Sequence, residues 1–281
     1  MLTVPQTLTA QADAAIHKIE GLRTPLRFLV SGMLAGAYVG VAVVLMVSAA
    51  GPFAAAGEPA VKLVSGLVFG VALTLVVFAG AELVTSAMMI LTQGVLMRAV
   101  RPLPAVGALL FTFGANVLGS AVFGGLVVVS GILHSNAAAG AMVQDLLAAK
   151  ATESPAELFV RGILCNVLVC LAIWMCHRLT TDGPKLAVIF WALLAFIASG
   201  FEHVVANMTT YSIGLFGGYE HATWGLFGGN LLWVGLGNLI GGAVFIGAAY
   251  WFVGGSPRWD RQLQVTLPHA DDAAVEVRRP R

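Results

Sequence analysis

Glu202 and His203 stand side by side within a long apolar segment, residues 186–216, in the run Gly200-Phe201-Glu202-His203-Val204-Val205-Ala206-Asn207-Met208. Residues 186–199 before them are almost wholly apolar, and Thr209 to Phe216 follow. A charged side chain at the centre of a bilayer costs roughly 3 kcal/mol on insertion scales and more on others. Two adjacent ionisable groups therefore need a reason. A path for an ion or a proton supplies one, with the helix broken where the path runs.

Composition agrees with a membrane setting. Of 281 residues, 58% are hydrophobic and only 10% charged, against about 25% charged in an average soluble domain. The apolar runs predict helices at about 26–49, 63–98, 105–132, 157–177, 186–216 and 224–253, each long enough to cross a bilayer. The second and fifth are too long for one plain span, and each holds a mid-segment glutamate, Glu82 or Glu202. Discontinuous helices explain both features. The expected fold is an all-α polytopic membrane protein with six transmembrane helices, the second and fifth broken.

The flanks are different. Residues 1–24 carry no cleavable signal peptide; Leu8, Ala12, Ala15, Ile16, Ile19 and Leu22 fall near helical spacing, as in a short amphipathic helix on the membrane surface. The channel domain spans 25–254. The tail, 255–281, contains Pro257, Pro268, Pro280, Asp271-Asp272 and Arg278-Arg279 and reads as disordered. One side of the membrane receives Lys18, Arg23, Arg27, Arg98, Arg101, Arg178, Lys185, Arg258, Arg261 and the tail arginines; the other receives Lys62, Lys150 and Arg161. The excess makes the first side, with both termini, cytoplasmic. The net charge of +1 says nothing about nucleic acid, and no basic cluster or aromatic stacking pattern supports such a partner, so none is expected. Cys165, Cys170 and Cys176 share one helix at spacings that suit neither a metal nor a disulfide, and read as packing residues.

The chain also matches itself at an offset of 120 to 130 residues. Thr24-Pro25 and Gly32 align with Ser154-Pro155 and Gly162; Gly80-Ala81-Glu82 aligns with Gly200-Phe201-Glu202; Asn116 and Gly119 align with Asn238 and Gly241. The unit is three helices, present twice, at about 25–132 and 155–254. An odd number of spans inverts the second copy, and inverted repeats with broken helices place the solute path near the midplane. The breaks are expected at Glu82–Ser86 and Glu202–Ala206, facing each other across one pore.

At the first break, Thr85 and Ser86 add hydroxyls to freed backbone N–H groups, and half-helix N-termini favour an anion or a polar solute. At the second, His203 occupies the place of Leu83 and can exchange a proton near neutral pH. Lys150 reads as a solvated charge in a loop before the fourth helix. Asn166, inside that helix, needs a partner that Glu202 or Asn207 could supply.

With these residues in view, the chain resembles the formate/nitrite transporter family, and within it the nitrite branch. The resemblance runs over residues 25–253 through Ala35-Gly36-Ala37-Tyr38-Val39-Gly40, Gly80-Ala81-Glu82-Leu83, Leu164-Cys165-Asn166, Phe196-Ile197-Ala198-Ser199-Gly200-Phe201-Glu202-His203, Ala206-Asn207-Met208-Thr209 and Asn230-Leu231-Leu232-Trp233. It implies an aquaporin-like protomer in a homopentamer of the bacterial inner membrane, with a pore in each subunit. It implies that His203 is the pore histidine and that Thr85 faces it. Phe69 and Phe196 would narrow the pore outside; Leu73, Leu83 and Val84 would narrow it on the cytoplasmic side. Family members often carry Phe where this chain has Val84, so that constriction is in doubt. Lys150, Asn166, Glu202 and Asn207 match the family's polar network, with Lys150 attracting the anion.

The expected function is passage of nitrite, with His203 as proton relay and protons possible co-substrates. Formate or hydrosulfide are alternatives within the family. A neutral-solute channel of the aquaporin or ammonia type fits less well, because neither break carries Asn-Pro-Ala and there is one pore histidine, not a pair. An enzyme is not expected, nor a metal or cofactor: no metal-ligand cluster, haem-ligand pair or nucleophile–base motif is present in the sequence.

Overall fold

The computed structural model describes residues 1–260. Residues 261–281, most of the tail expected over 255–281, lie outside the described residues. The chain is all-helical. In order come α1 (Val4–Gly21), α2 (Pro25–Ala55), α3 (Val61–Phe69), α4 (Val71–Phe78), α5 (Val84–Leu96), α6 (Pro102–Val129) and α7 (Ile132–Ser135). Then follow α8 (Ala137–Thr152), α9 (Pro155–Arg178), α10 (Asp182–Ala198), α11 (Val204–Gly217), α12 (Trp224–Ile240), a π-helical stretch (Gly241–Ala248) and α13 (Ala249–Val253).

Local chemistry sets the starts. Pro25, Pro102 and Pro155 open α2, α6 and α9, where proline's missing N–H costs nothing. Ser154 and Glu157 form a capping box on α9, and Thr3 and Gln6 form one on α1. Among the described residues, five helical stretches are long and apolar enough to cross a membrane: Pro25–Ala55, Val61–Phe78, Pro102–Val129, Pro155–Arg178 and Trp224–Val253. The sixth expected span, 186–216, is divided between α10 and α11, neither long enough alone.

Two interruptions shape the centre. After α4, Gly80 has φ +75°, and α5 resumes at Val84. After α10, Gly200 has φ +74°, and α11 resumes at Val204. A left-handed turn is cheap only for glycine, so the chain leaves the helix there. Both interruptions start earlier than the expected Glu82–Ser86 and Glu202–Ala206, and Thr85, Ser86, Val205 and Ala206 are already helical.

Close packing holds this arrangement. A Cβ on Gly119 would stand 1.9 Å from the Met33 carbonyl oxygen, and one on Gly241 would stand 2.4 Å from that of Ile163. Only glycine lets α6 approach α2, and the π-helical stretch approach α9, so closely. The apolar face of α1 packs on the protein: Leu8, Ala12 and Ala15 are fully buried, with Ala15 against Gly94 and Leu8 against Gly254.

Candidate functional site

Each interruption is wired to its neighbours by one asparagine. Asn116 Oδ1 accepts the Val84 N–H at 2.9 Å; its Nδ2 donates to the carbonyls of Gly32 at 2.8 Å and Glu82 at 2.9 Å. Asn238 repeats the pattern, accepting the Val204 N–H at 2.9 Å and donating to Gly162 at 2.7 Å and Glu202 at 3.0 Å. The Glu82 N–H donates to the Ser31 carbonyl at 3.2 Å, and the Glu202 N–H to that of Arg161 at 3.3 Å. The Glu82 N–H and carbonyl and the Val84 N–H, with their counterparts at Glu202 and Val204, thus find protein partners, as an apolar setting demands.

His203 caps α11: its Nδ1 accepts the Ala206 N–H at 3.2 Å. Nδ1 is therefore unprotonated, and the ring proton sits on Nε2, which faces Thr85 Oγ1 at 3.1 Å. The structure brings Thr85 and His203 together. The imidazole stacks on Phe196 at 5.9 Å between centroids, and Phe196 meets Phe69 edge-on at 5.7 Å.

Three cavities border these residues and their neighbours; two are labelled outer and inner after the sides expected of Lys62 and Lys150 and of Lys18 and Arg27. An outer one of about 290 Å³ is bordered by Lys62, Lys150, Glu202, His203 and Asn207. A small apolar chamber of about 10 Å³ is bordered by Phe69, Leu73, Leu83, Phe196 and His203, room for about one water-sized sphere. An inner one of about 540 Å³ is bordered by His17, Lys18, Arg27, Glu82 and His177. Phe69, Phe196 and His203 border both the outer cavity and the chamber. Leu83 borders the chamber, and its chain neighbour Glu82 borders the inner cavity.

An ion pair sits at each mouth. Lys150 Nζ donates to both oxygens of Glu202 at 2.6 Å, with the side chains 10% and 7% exposed. Asn207 Nδ2 donates to Glu202 Oε2 and, at 2.8 Å, to Asn230 Oδ1. At the inner mouth Lys18 pairs with Glu82, whose side chains are 12% and 24% exposed. Beside the outer pair, Glu153 bonds Arg161; burial raises its carboxyl above the ordinary range, and the Glu202 carboxylate pushes the same way.

Three expected residues sit differently. Lys150 is not a solvated loop charge: it lies in the last turn of α8, mostly buried on Glu202, since a buried cation needs a counter-charge. Asn166 does not reach Glu202 or Asn207. Its Nδ2 donates to the carbonyls of Thr85 at 3.1 Å and Asn238 at 2.7 Å, tying α5 to α12. Val84 lines a lateral apolar cavity with Met88, Leu109, Phe113 and Leu231, not the chamber. The backbone at Leu83 is extended, so Leu83 and Val84 point to opposite sides. Lys18, Asn116, Asn238 and Asn230 were missed as site residues. The repeat carried the signal for Lys18, which precedes Thr24-Pro25 much as Lys150 precedes Ser154-Pro155.

Comparison with known proteins addresses the same arrangement. The family profile described as formate/nitrite transporter matches residues 5–252. The chain belongs to the formate/nitrite transporter family. It is 41% identical over 265 residues to the nitrite transporter NirC of Escherichia coli strain K12, covering 94% of this chain and 96% of that one. A solved formate/nitrite transporter structure, an "FNT family ion channel", superposes with a TM-score of 0.81 at 38% identity, covering 88% of this chain and 98% of the other. A pentameric formate channel with formate bound superposes with a TM-score of 0.69 at 26% identity, covering 82% and 98%. As a formate/nitrite transporter, the protein is a membrane transport protein and not an enzyme.

Proposed function

We propose that the protein is a nitrite channel of the bacterial inner membrane, a homopentamer with both termini cytoplasmic and a separate pore in each subunit. Its protomer would be two inverted three-helix repeats in the manner of aquaporins, with α3–α5 and α10–α11 as the broken spans. The carrying observation is the Thr85–His203 contact, set in the wall of an apolar chamber between two ion-paired mouths. Similarity to NirC along nearly the whole chain supports nitrite, and the pentameric formate channel supports the assembly.

Desolvation decides how the anion crosses. Moving a bare monovalent ion into a medium of low dielectric costs of order 20 kcal/mol in the ideal limit. A neutral weak acid escapes nearly all of that. Nitrite therefore collects in the outer cavity, drawn by Lys62, Lys150 and the positive end of α11. It crosses the chamber as nitrous acid. For His203 to relay the proton, Nδ1 must first take one and release the Ala206 N–H. That proton comes from water of the outer cavity. The imidazolium then gives its Nε2 proton to a nitrite oxygen, leaving the Nδ1–H ring. Exchange of one proton with the same water, gained at Nε2 and lost from Nδ1, restores the resting tautomer. Leu73 and Leu83 exclude water from the transfer, and the acid ionises again beyond Leu83, at the Lys18–Glu82 mouth.

Influx into proteoliposomes tests the substrate. Nitrite should enter faster than formate or hydrosulfide at matched gradients; formate entering faster would assign the pore to formate.

A further inference from the structure

We propose that Asn238 is a positioning residue for the pore histidine: one carboxamide grips the backbone on both sides of His203 and thereby aims its imidazole at Thr85. The inference rests on the reading of His203 as the proton-exchanging group of the pore. Asn238 takes hold of the Glu202 carbonyl, in the peptide plane before His203, and of the Val204 N–H, in the plane after it. With both planes fixed, the His203 backbone has little freedom to leave φ −107° and ψ 115°. The third bond, to the Gly162 carbonyl, anchors the grip on α9. Both amide hydrogens and the amide oxygen are used, and the side chain is fully buried. Losing the bond from the Val204 N–H, at the first position of α11, would leave a buried donor without a partner.

Asn238 also locates the other half of the contact. Its own carbonyl accepts from Asn166 Nδ2, which donates to the Thr85 carbonyl as well. His203 and Thr85 are therefore referred to one residue, at two bonds' remove for Thr85. The first repeat supplies a control within the same molecule. Asn116 brackets Leu83 in the same way, through the Glu82 carbonyl and the Val84 N–H, and Leu83 is held at φ −98° and ψ 128°. Leucine does not titrate. Loosening the Leu83 bracket can alter the constriction but cannot alter a proton transfer at the other break directly.

The test compares Asn238→Ala with Asn116→Ala, each alone and with His203→Asn, reading nitrite flux against pH in proteoliposomes and assembly by size exclusion. Asn238→Ala should displace the midpoint of the flux–pH profile by about one unit, what one hydrogen bond of ordinary strength is worth. Asn116→Ala should lower flux at every pH with the midpoint unmoved. In the His203→Asn background, Asn238→Ala should shift nothing further. A wild-type midpoint in Asn238→Ala, while His203→Asn alone changes the profile, would overturn the positioning role and leave the histidine reading intact. An unchanged profile in His203→Asn would overturn both. Should Asn238→Ala fail to assemble, amide exchange in the wild-type protein decides. A Val204 amide exchanging as slowly as that of Asn207 supports the bracket, and one exchanging as fast as an open loop amide overturns it.

Discussion

Around Leu83 and around His203 the backbone is held by the same bonds from the same residue types, yet the two segments present a leucine and an imidazole to the chamber. The likeness extends outward. Lys18–Glu82 and Lys150–Glu202 close the two mouths, and Gly119 and Gly241 seat the same helix crossings. The differences concentrate near the histidine. Where the first repeat has Gly36, with the Asn116 carbonyl against it, the second has Asn166, donating to the Asn238 carbonyl. Where the first has Ala87, the second has Asn207 on Glu202. Glu82 keeps a wetter face than Glu202, 24% exposed against 7%. The repeated parts build the fold; the departures from the repeat carry polar groups toward one end of the pore.

The glycine crossings should give the largest effects. Gly119→Ala drives a methyl into the Met33 carbonyl, and Gly241→Ala drives one into that of Ile163. Backbone cannot yield as a flexible side chain does, so each should cost about 3 kcal/mol, at the upper end for overpacking. The yield of assembled protein on size exclusion should fall in both, further in Gly119→Ala. Normal assembly of either would show that the two crossings are not equivalent supports.

The ion pairs come next, and they should differ. Lys150→Met leaves the Glu202 carboxylate buried and unpaired beside the anion path. Breaking such a pair costs about 3–5 kcal/mol, and the bare charge repels nitrite, so flux should drop roughly a hundredfold and salt should restore little of it. Lys18→Met exposes the more solvated Glu82, so its effect should be about tenfold or less and should shrink as ionic strength rises. Initial flux rates across a salt series measure both. Equal losses with equal salt sensitivity would erase the distinction between the mouths.

Much of this was legible in the chain. Apolar runs long enough to span, the glutamate in each long segment and the matched Pro, Gly and Asn positions are local or periodic signals, and they point to an all-helical chain of several apolar helices. Pairings between distant elements were not legible. Lys150 lies 52 residues from Glu202 in sequence and Lys18 lies 64 from Glu82, and nothing local tells a lysine which carboxylate it meets. Val84 was misplaced through strand parity: once Leu83 is extended, its neighbour must face away. Asn166 was assigned a nearby acid, but it meets the carbonyls of Thr85 in α5 and Asn238 in α12, groups that no local pattern singles out. Asn116 and Asn238 were visible only as repeat matches, since an amide that brackets a loop leaves no motif of its own.

The central claim is that the second break differs from the first because its histidine moves a proton. It is tested most directly by nitrite flux through His203→Asn in proteoliposomes, between about pH 5 and 8, where histidine titrates. Asparagine keeps an N–H donor for Thr85 and cannot titrate. A channel that relays protons through His203 should lose the wild-type pH dependence in this variant while its oligomer stays intact. An assembled variant with the wild-type rate and the wild-type pH profile would contradict the relay.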